Sequence, residues 1–143
     1  MDVFGLPLHP LVVHAAVVLI PLACLGAILV VASGRIRERY GWLAVAFAVA
    51  AALAAIVAKF TGEAFAAELR VGSLIATHEF YGELMPYPTV ALALTLPAAL
   101  LVRGRSSAGW VVTVVLTLVS ALVGLVLVAL TGHAGATAVW GGR

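Results

Sequence analysis

Four uninterrupted apolar runs, roughly Pro10–Ser33, Trp42–Phe60, Leu84–Val102 and Ala108–Leu130, constrain this chain more than any other feature. Each run holds 19 or more residues. A helix over any of them rises about 28 Å or more, close to the ~30 Å hydrocarbon thickness of a bilayer. None contains Asp, Glu or Arg, and Lys59 lies at the end of its run, where the ammonium can snorkel to the headgroups. A soluble fold would need polar elements to wrap such helices. Only 10% of the 143 residues are charged, against about a quarter in ordinary soluble domains. The expected fold is an all-α membrane protein: one domain, a four-transmembrane-helix bundle in contact with the lipid bilayer.

Basic residues set the expected orientation. Arg35, Arg37 and Arg39 occupy the stretch between the first two runs, and Arg103 and Arg105 the stretch between the last two. The opposite connections carry Lys59 and Arg70 against Glu63, Glu68, Glu79 and Glu83. By the positive-inside rule the arginine-rich end is cytoplasmic and both termini lie outside. The first run is expected to remain as a helix and not to be a cleaved signal. Its leading residues Met1–Leu8 carry no basic side chain, and it is longer than a signal's apolar core. The net charge of +2 thus follows from topology. No basic stripe with interleaved aromatics points to nucleic acid.

The chain also matches itself. His9 and His78 lie 69 residues apart, Pro21 and Pro88 67, and Trp42 and Trp110 68. Thr61-Gly62 recurs as Thr131-Gly132 and Gly72 as Gly142, each at an offset of 70. Several matches in one order predict two tandem helix-pair repeats, about 9–72 and 78–142. Both would start and end on the outer side, related by an axis along the membrane normal. In an up-down-up-down bundle the first and third spans are then diagonal. The alanine-rich second run suits close backbone approach. Cys24, the sole cysteine, reads as a buried structural thiol.

All four histidines, His9, His14, His78 and His133, fall at the outer ends of the runs, and the arginine-rich connections hold none. Pro10 suits a first helical turn, which makes His9 an interfacial residue. His14 lies about 7.5 Å deeper and is expected to face the bundle, because a polar side chain facing lipid has no partner. His78 precedes the third run, and His133 follows Thr131-Gly132, where the fourth is expected to end. No His-x-x-x-His pair or cysteine pair marks a zinc site.

Neutral imidazole is a good ligand for haem iron, copper or zinc. A bundle of small residues can enclose the apolar disc of haem b and leave its propionates at the wet rim. One or two non-covalent haems are expected. His14 with His78, on diagonal helices, is the expected axial pair. His9 and His133 would hold propionates, a second haem or a metal ion, and Arg70 is a further propionate partner. Copper is the alternative, favoured by the histidines together with Met85.

Leu8-His9-Pro10-Leu11-Val12-Val13-His14, the two Thr-Gly pairs, the histidine before the third run, and Gly132-His133-Ala134-Gly135 followed by Val139-Trp140-Gly141 resemble one small prokaryotic family. It is the membrane family numbered 2231 among the domains of unknown function, and the resemblance covers essentially the whole chain. The family looks like a four-helix membrane module sometimes fused to, or encoded near, Rieske iron–sulfur and cytochrome domains. The resemblance implies a redox role in a prokaryotic plasma membrane, with b-type haem binding, and it carries His9, His14 and His78 over as the candidate polar site.

Three functions remain open. A haem-b electron-transfer module would pass electrons from quinol to a redox partner protein outside, with Glu63, Glu79, Tyr81 and Glu83 along a quinone or proton path. A transition-metal binder or transporter is the second, and a non-catalytic partner subunit the third. A homodimer could complete the site in any of them. No Gly-x-Ser-x-Gly, phosphate loop or intramembrane carboxylate pair suggests hydrolysis or group transfer, so an enzyme here would be a haem-dependent oxidoreductase. On this reading His14→Ala abolishes haem binding and His133→Ala alters it modestly. The orientation has its own test. In a Cys24→Ser background, a cysteine at Ala67 is expected to react with an impermeant maleimide in intact cells, and one at Ser107 only after permeabilisation. The opposite labelling pattern inverts the topology.

Overall fold

The structure, a computed structural model, describes residues 2–3, 6–69 and 72–141. A two-residue antiparallel pairing, β1 (Asp2–Val3) with β2 (Leu6–Pro7), leads into α1 (Leu8–Ala32). Then follow α2 (Gly34–Leu69), α3 (Gly72–Leu84), α4 (Pro86–Val102) and α5 (Ser107–Trp140). Four helical segments are long and apolar enough to cross a membrane: α1, α2, α3 with α4, and α5.

Several boundaries differ from expectation. The 33–41 stretch is helical from Gly34 onward, not a loop. The second and fourth spans do not stop at Phe60 and Leu130 but run on to Leu69 and Trp140. The Thr-Gly pairs do not break them, because each threonine hydroxyl donates back to its own helix. Thr61 Oγ1 donates to the Val57 carbonyl and Thr131 Oγ1 to that of Leu127, both at 2.8 Å. At 36 and 34 residues, α2 and α5 are about 54 and 51 Å long and outrun the bilayer.

The third span is broken at Met85, and His78 lies inside α3. Pro86 and Pro88 supply no backbone N–H to the ladder. The carbonyl of Gly82, which a residue at 86 would normally cap, is instead met by the Met85 N–H at 3.2 Å. Thr89 Oγ1 lies 3.0 Å from the carbonyls of Met85 and Pro86 and shares its proton between them, a further tie across the joint.

The spans run up-down-up-down. α1 packs on α2 and α5, α2 on α4, and both α3 and α4 on α5, so the first and third spans are diagonal. Size is sorted inside out. Ala23, Ala27, Ala48, Ala51, Ala99 and Ala121 fill the centre, with Leu92 and Leu96 as the larger buried plugs. Val18, Leu53, Leu94 and Val112 project outward, more than half exposed. In water such a surface would aggregate. In lipid it costs nothing, and small interior residues let the backbones approach. Cys24 is fully buried. It sits where α1 meets α5 so closely that a Cβ on Gly124 would lie 3.0 Å from its sulfur.

One side chain fastens the end opposite the termini. Arg37, from the start of α2, donates through Nε to the Val30 carbonyl at 3.0 Å and through Nη2 to that of Val31 at 2.7 Å. Its guanidinium lies over the Trp110 ring of α5, 4.5 Å from the centroid. It therefore caps α1 and ties three spans. Arg37→Gln is expected to lower stability by on the order of 2 kcal/mol, read as an earlier thermal unfolding transition in detergent. Arg37→Lys should restore only part of that loss, since an ammonium offers neither the planar fork nor the stacking face. Full restoration by lysine would leave only a charge effect.

Candidate functional site

Two of the four histidines are drawn into one place. His9, in the first turn of α1, and His78, in the middle of α3, line a single cleft at the end of the bundle that bears the termini. They come from the diagonal spans. The two rings lie close enough to interact electrostatically.

Each ring is held by the same nitrogen against the next helix. His78 Nδ1 lies 2.9 Å from the Thr131 carbonyl of α5. A carbonyl only accepts, so Nδ1 carries the proton and donates it. His9 Nδ1 lies 3.3 Å from Thr61 Oγ1 of α2. The Thr61 hydroxyl also lies 2.8 Å from the Val57 carbonyl, to which it can donate, leaving its oxygen free to accept from His9 Nδ1–H. The carbonyl contact fixes the neutral His78 ring as the tautomer whose Nε2 carries an unprotonated lone pair. That is the state in which imidazole binds a metal, with the outer N–H anchored as ligating histidines require.

Glycine makes the close fit possible. A Cβ on Gly62 would stand 2.9 Å from His9 Cε1, and one on Gly135 would stand 2.9 Å from His78 Nδ1. Either would push the ring off its acceptor. The Phe65 ring lies beside His9, with centroids 6.0 Å apart. Depth follows from the tryptophans. Placing Trp42 and Trp110 at one interface, a ~30 Å core ends about 20 residues on, near Gly62 and Leu130. The histidines thus sit at the opposite membrane surface.

The cleft holds a cavity of about 130 Å³, below the ~300–1,000 Å³ range of preformed small-molecule and cofactor sites, and it opens at its mouth. Its walls are mostly aliphatic, from Val13, Ile20, Ala55 and Val128 among others. Below the break at Met85, α3 leans on α5 and touches α2 far less, which holds the space open. Lys59, Glu63, Glu79 and Glu83 add polar groups, and Lys59 pairs with Glu63 at 3.5 Å. Met85, almost fully buried, also reaches the lining.

The remaining sequence candidates lie elsewhere. His14 does not face the bundle. It is exposed on the outside of α1, with Nδ1 bonded to the Pro10 carbonyl of its own helix. The reason is angular: five residues on from His9 is a rotation of about 140°, so a helix that turns His9 inward turns His14 out. His78 accordingly meets His9 and not His14. His133 is exposed within α5, since the helix continues past it. Tyr81 packs edge-on against Phe80 and is not among the lining residues. Arg70 lies outside the described residues. Sequence reasoning missed Gly135 and Phe65. It noted Thr61 and Thr131 only as a repeat, although that recurrence was the signal for a shared role.

Among the described residues no group of three or more His, Cys, Asp or Glu side chains is placed to hold a metal ion. The site offers two nitrogen ligands on a broad apolar space. In histidine 15N spectra above about pH 8, where unperturbed imidazole is neutral, His9 and His78 are expected as Nδ1–H tautomers. Gly62→Ala should shift the His9 signals, and Gly132→Ala, which meets nothing within 4 Å, should leave both rings unchanged. An Nε2–H tautomer at either ring would break the assignment.

A family model described as a predicted membrane protein (DUF2231) matches residues 5–143. No curated protein and no solved structure matches the chain.

Proposed function

The chain belongs to this family of predicted membrane proteins, and we propose that its role there is one-electron transfer through a b-type haem held by His9 and His78. The observation that carries the reading is the pair of rings, each anchored through Nδ1 on a neighbouring helix and both lining one apolar cleft from diagonal spans. A haem iron needs two axial ligands and an apolar slot for the macrocycle; the two histidines and the aliphatic lining suit those needs, and the cleft would have to widen to admit the ring. The haem would supply a reversible one-electron couple at the membrane surface. The protein's part is to fix the imidazoles through Thr61 and Thr131 and to exclude water with the aliphatic walls. Lys59, at the cleft, would meet a propionate. The arginine end faces the cytoplasm of a prokaryotic plasma membrane, so the site opens outward, where a quinol headgroup and an outer redox protein both have access.

Met85 supports a second reading. A thioether beside two imidazoles is a ligand set for copper, and Met85 is the soft donor in the cleft wall. The two readings differ in one spectrum. Protein purified from haem-replete cells is expected to show a sharp α-band on dithionite reduction. His9→Ala and His78→Ala should each abolish it, while His14→Ala and His133→Ala should retain a full complement of haem. A colourless protein would sink the haem reading; stoichiometric copper in that sample, lost in Met85→Leu, would establish the other.

A further inference from the structure

The other end of the molecule carries a separate inference, independent of the cleft. We propose that the arginine end is a binding surface for anionic phospholipid headgroups. Five arginines meet there, from the first turns of α2 and from the link between α4 and α5. The two segments adjoin, because Arg103 Nη1 lies 3.9 Å from Glu38 Oε1 and Arg37 stacks on Trp110.

The five have different duties. Arg37 is spent on the carbonyls of Val30 and Val31, and Arg105 donates to that of Leu101 at 2.8 Å. Arg35, Arg39 and Arg103 are exposed. The carboxylate at this end is Glu38, itself 74% exposed and at the limit of contact with Arg103. A pair so solvated contributes little and leaves the guanidinium open to a better anion. Excess positive charge is therefore concentrated on one rim.

Its height singles out a lipid. Arg39 stacks on Tyr40, and Tyr40, Trp42 and Leu43 are all exposed on the same turns of α2. Aromatics of this kind sit at headgroup level with the apolar belt just below. A phosphodiester held by the arginines thus has its acyl chains already against the exposed aliphatic surface, whereas a free anion or a soluble acidic protein gains nothing from that belt. The opposite end lacks the preference, because Lys59 is paired with Glu63 and Glu79 and Glu83 lie nearby.

The test is native mass spectrometry of the full chain released from membranes holding equal phosphatidylglycerol and phosphatidylcholine. Wild-type protein is expected to retain phosphatidylglycerol in excess. The pair Arg35→Gln and Arg39→Gln should cut that enrichment about 25-fold, at about fivefold per arginine. Arg35→Lys with Arg39→Lys should keep most of it. Added salt should erode it in the wild type, a check that stands even if the glutamine pair fails to fold. Equal retention of the two lipids by wild type, or undiminished enrichment in a folded glutamine pair, overturns the proposal. So does stabilisation by millimolar inorganic phosphate equal to that by phosphatidylglycerol, which would mark a site for the free anion.

Discussion

Water is absent from the hydrocarbon layer, and that absence governs both the fold and the site. A backbone N–H or carbonyl left unpaired there costs several kcal/mol, so the chain crosses only as helix. Even its broken span re-pairs the Gly82 carbonyl and closes the joint with the Thr89 hydroxyl. The same rule reaches the imidazoles. Each ring at the cleft has its Nδ1 within hydrogen-bond reach of a neighbouring helix, at Thr61 Oγ1 of α2 and at the Thr131 carbonyl of α5. Anchoring one nitrogen fixes the tautomer, and the tautomer decides what the other nitrogen can do.

Packing follows from the same solvent. With lipid as apolar as leucine, nothing drives large side chains inward, so the bundle is held by close approach of small ones and by a few polar ties. Alanines line the centre, and glycines appear where contact is tightest, Gly124 against Cys24 and Gly62 and Gly135 against the histidines. Arg37 secures the far end through two carbonyls and Trp110. The near end is left looser, because the break at Met85 lets α3 follow α5 and part from α2. A tight half and an open half within one bundle give the cleft its walls.

The spans were legible in the sequence because nineteen or more apolar residues in a row admit no other fold. The helix ends were not. Apolar content stops near Phe60 and Leu130, but helical hydrogen bonding does not, and α2 and α5 run on to Leu69 and Trp140, about two to three turns further. The membrane level of the histidines was readable from their place in the runs. Their facing was only partly so: depth favoured His14 as the inward ligand, whereas rotation about the helix settles the matter for His9. Gly135 was beyond reach, because nothing local to a glycine reveals that a ring from another span lies over it. His9 with Thr61 and His78 with Thr131 recur at offsets of 69 and 70, yet the acceptors differ, a side-chain hydroxyl at Thr61 and a backbone carbonyl at Thr131.

Equivalence of the two rings bears on what the cleft suits. A tetrahedral metal site needs three or four donors converging from different directions, and the described side chains provide no such group of His, Cys, Asp and Glu. Two imidazoles from diagonal spans, each anchored through Nδ1 on a neighbouring helix, instead line one apolar cleft, and it is their shared placement that any ligand there would meet.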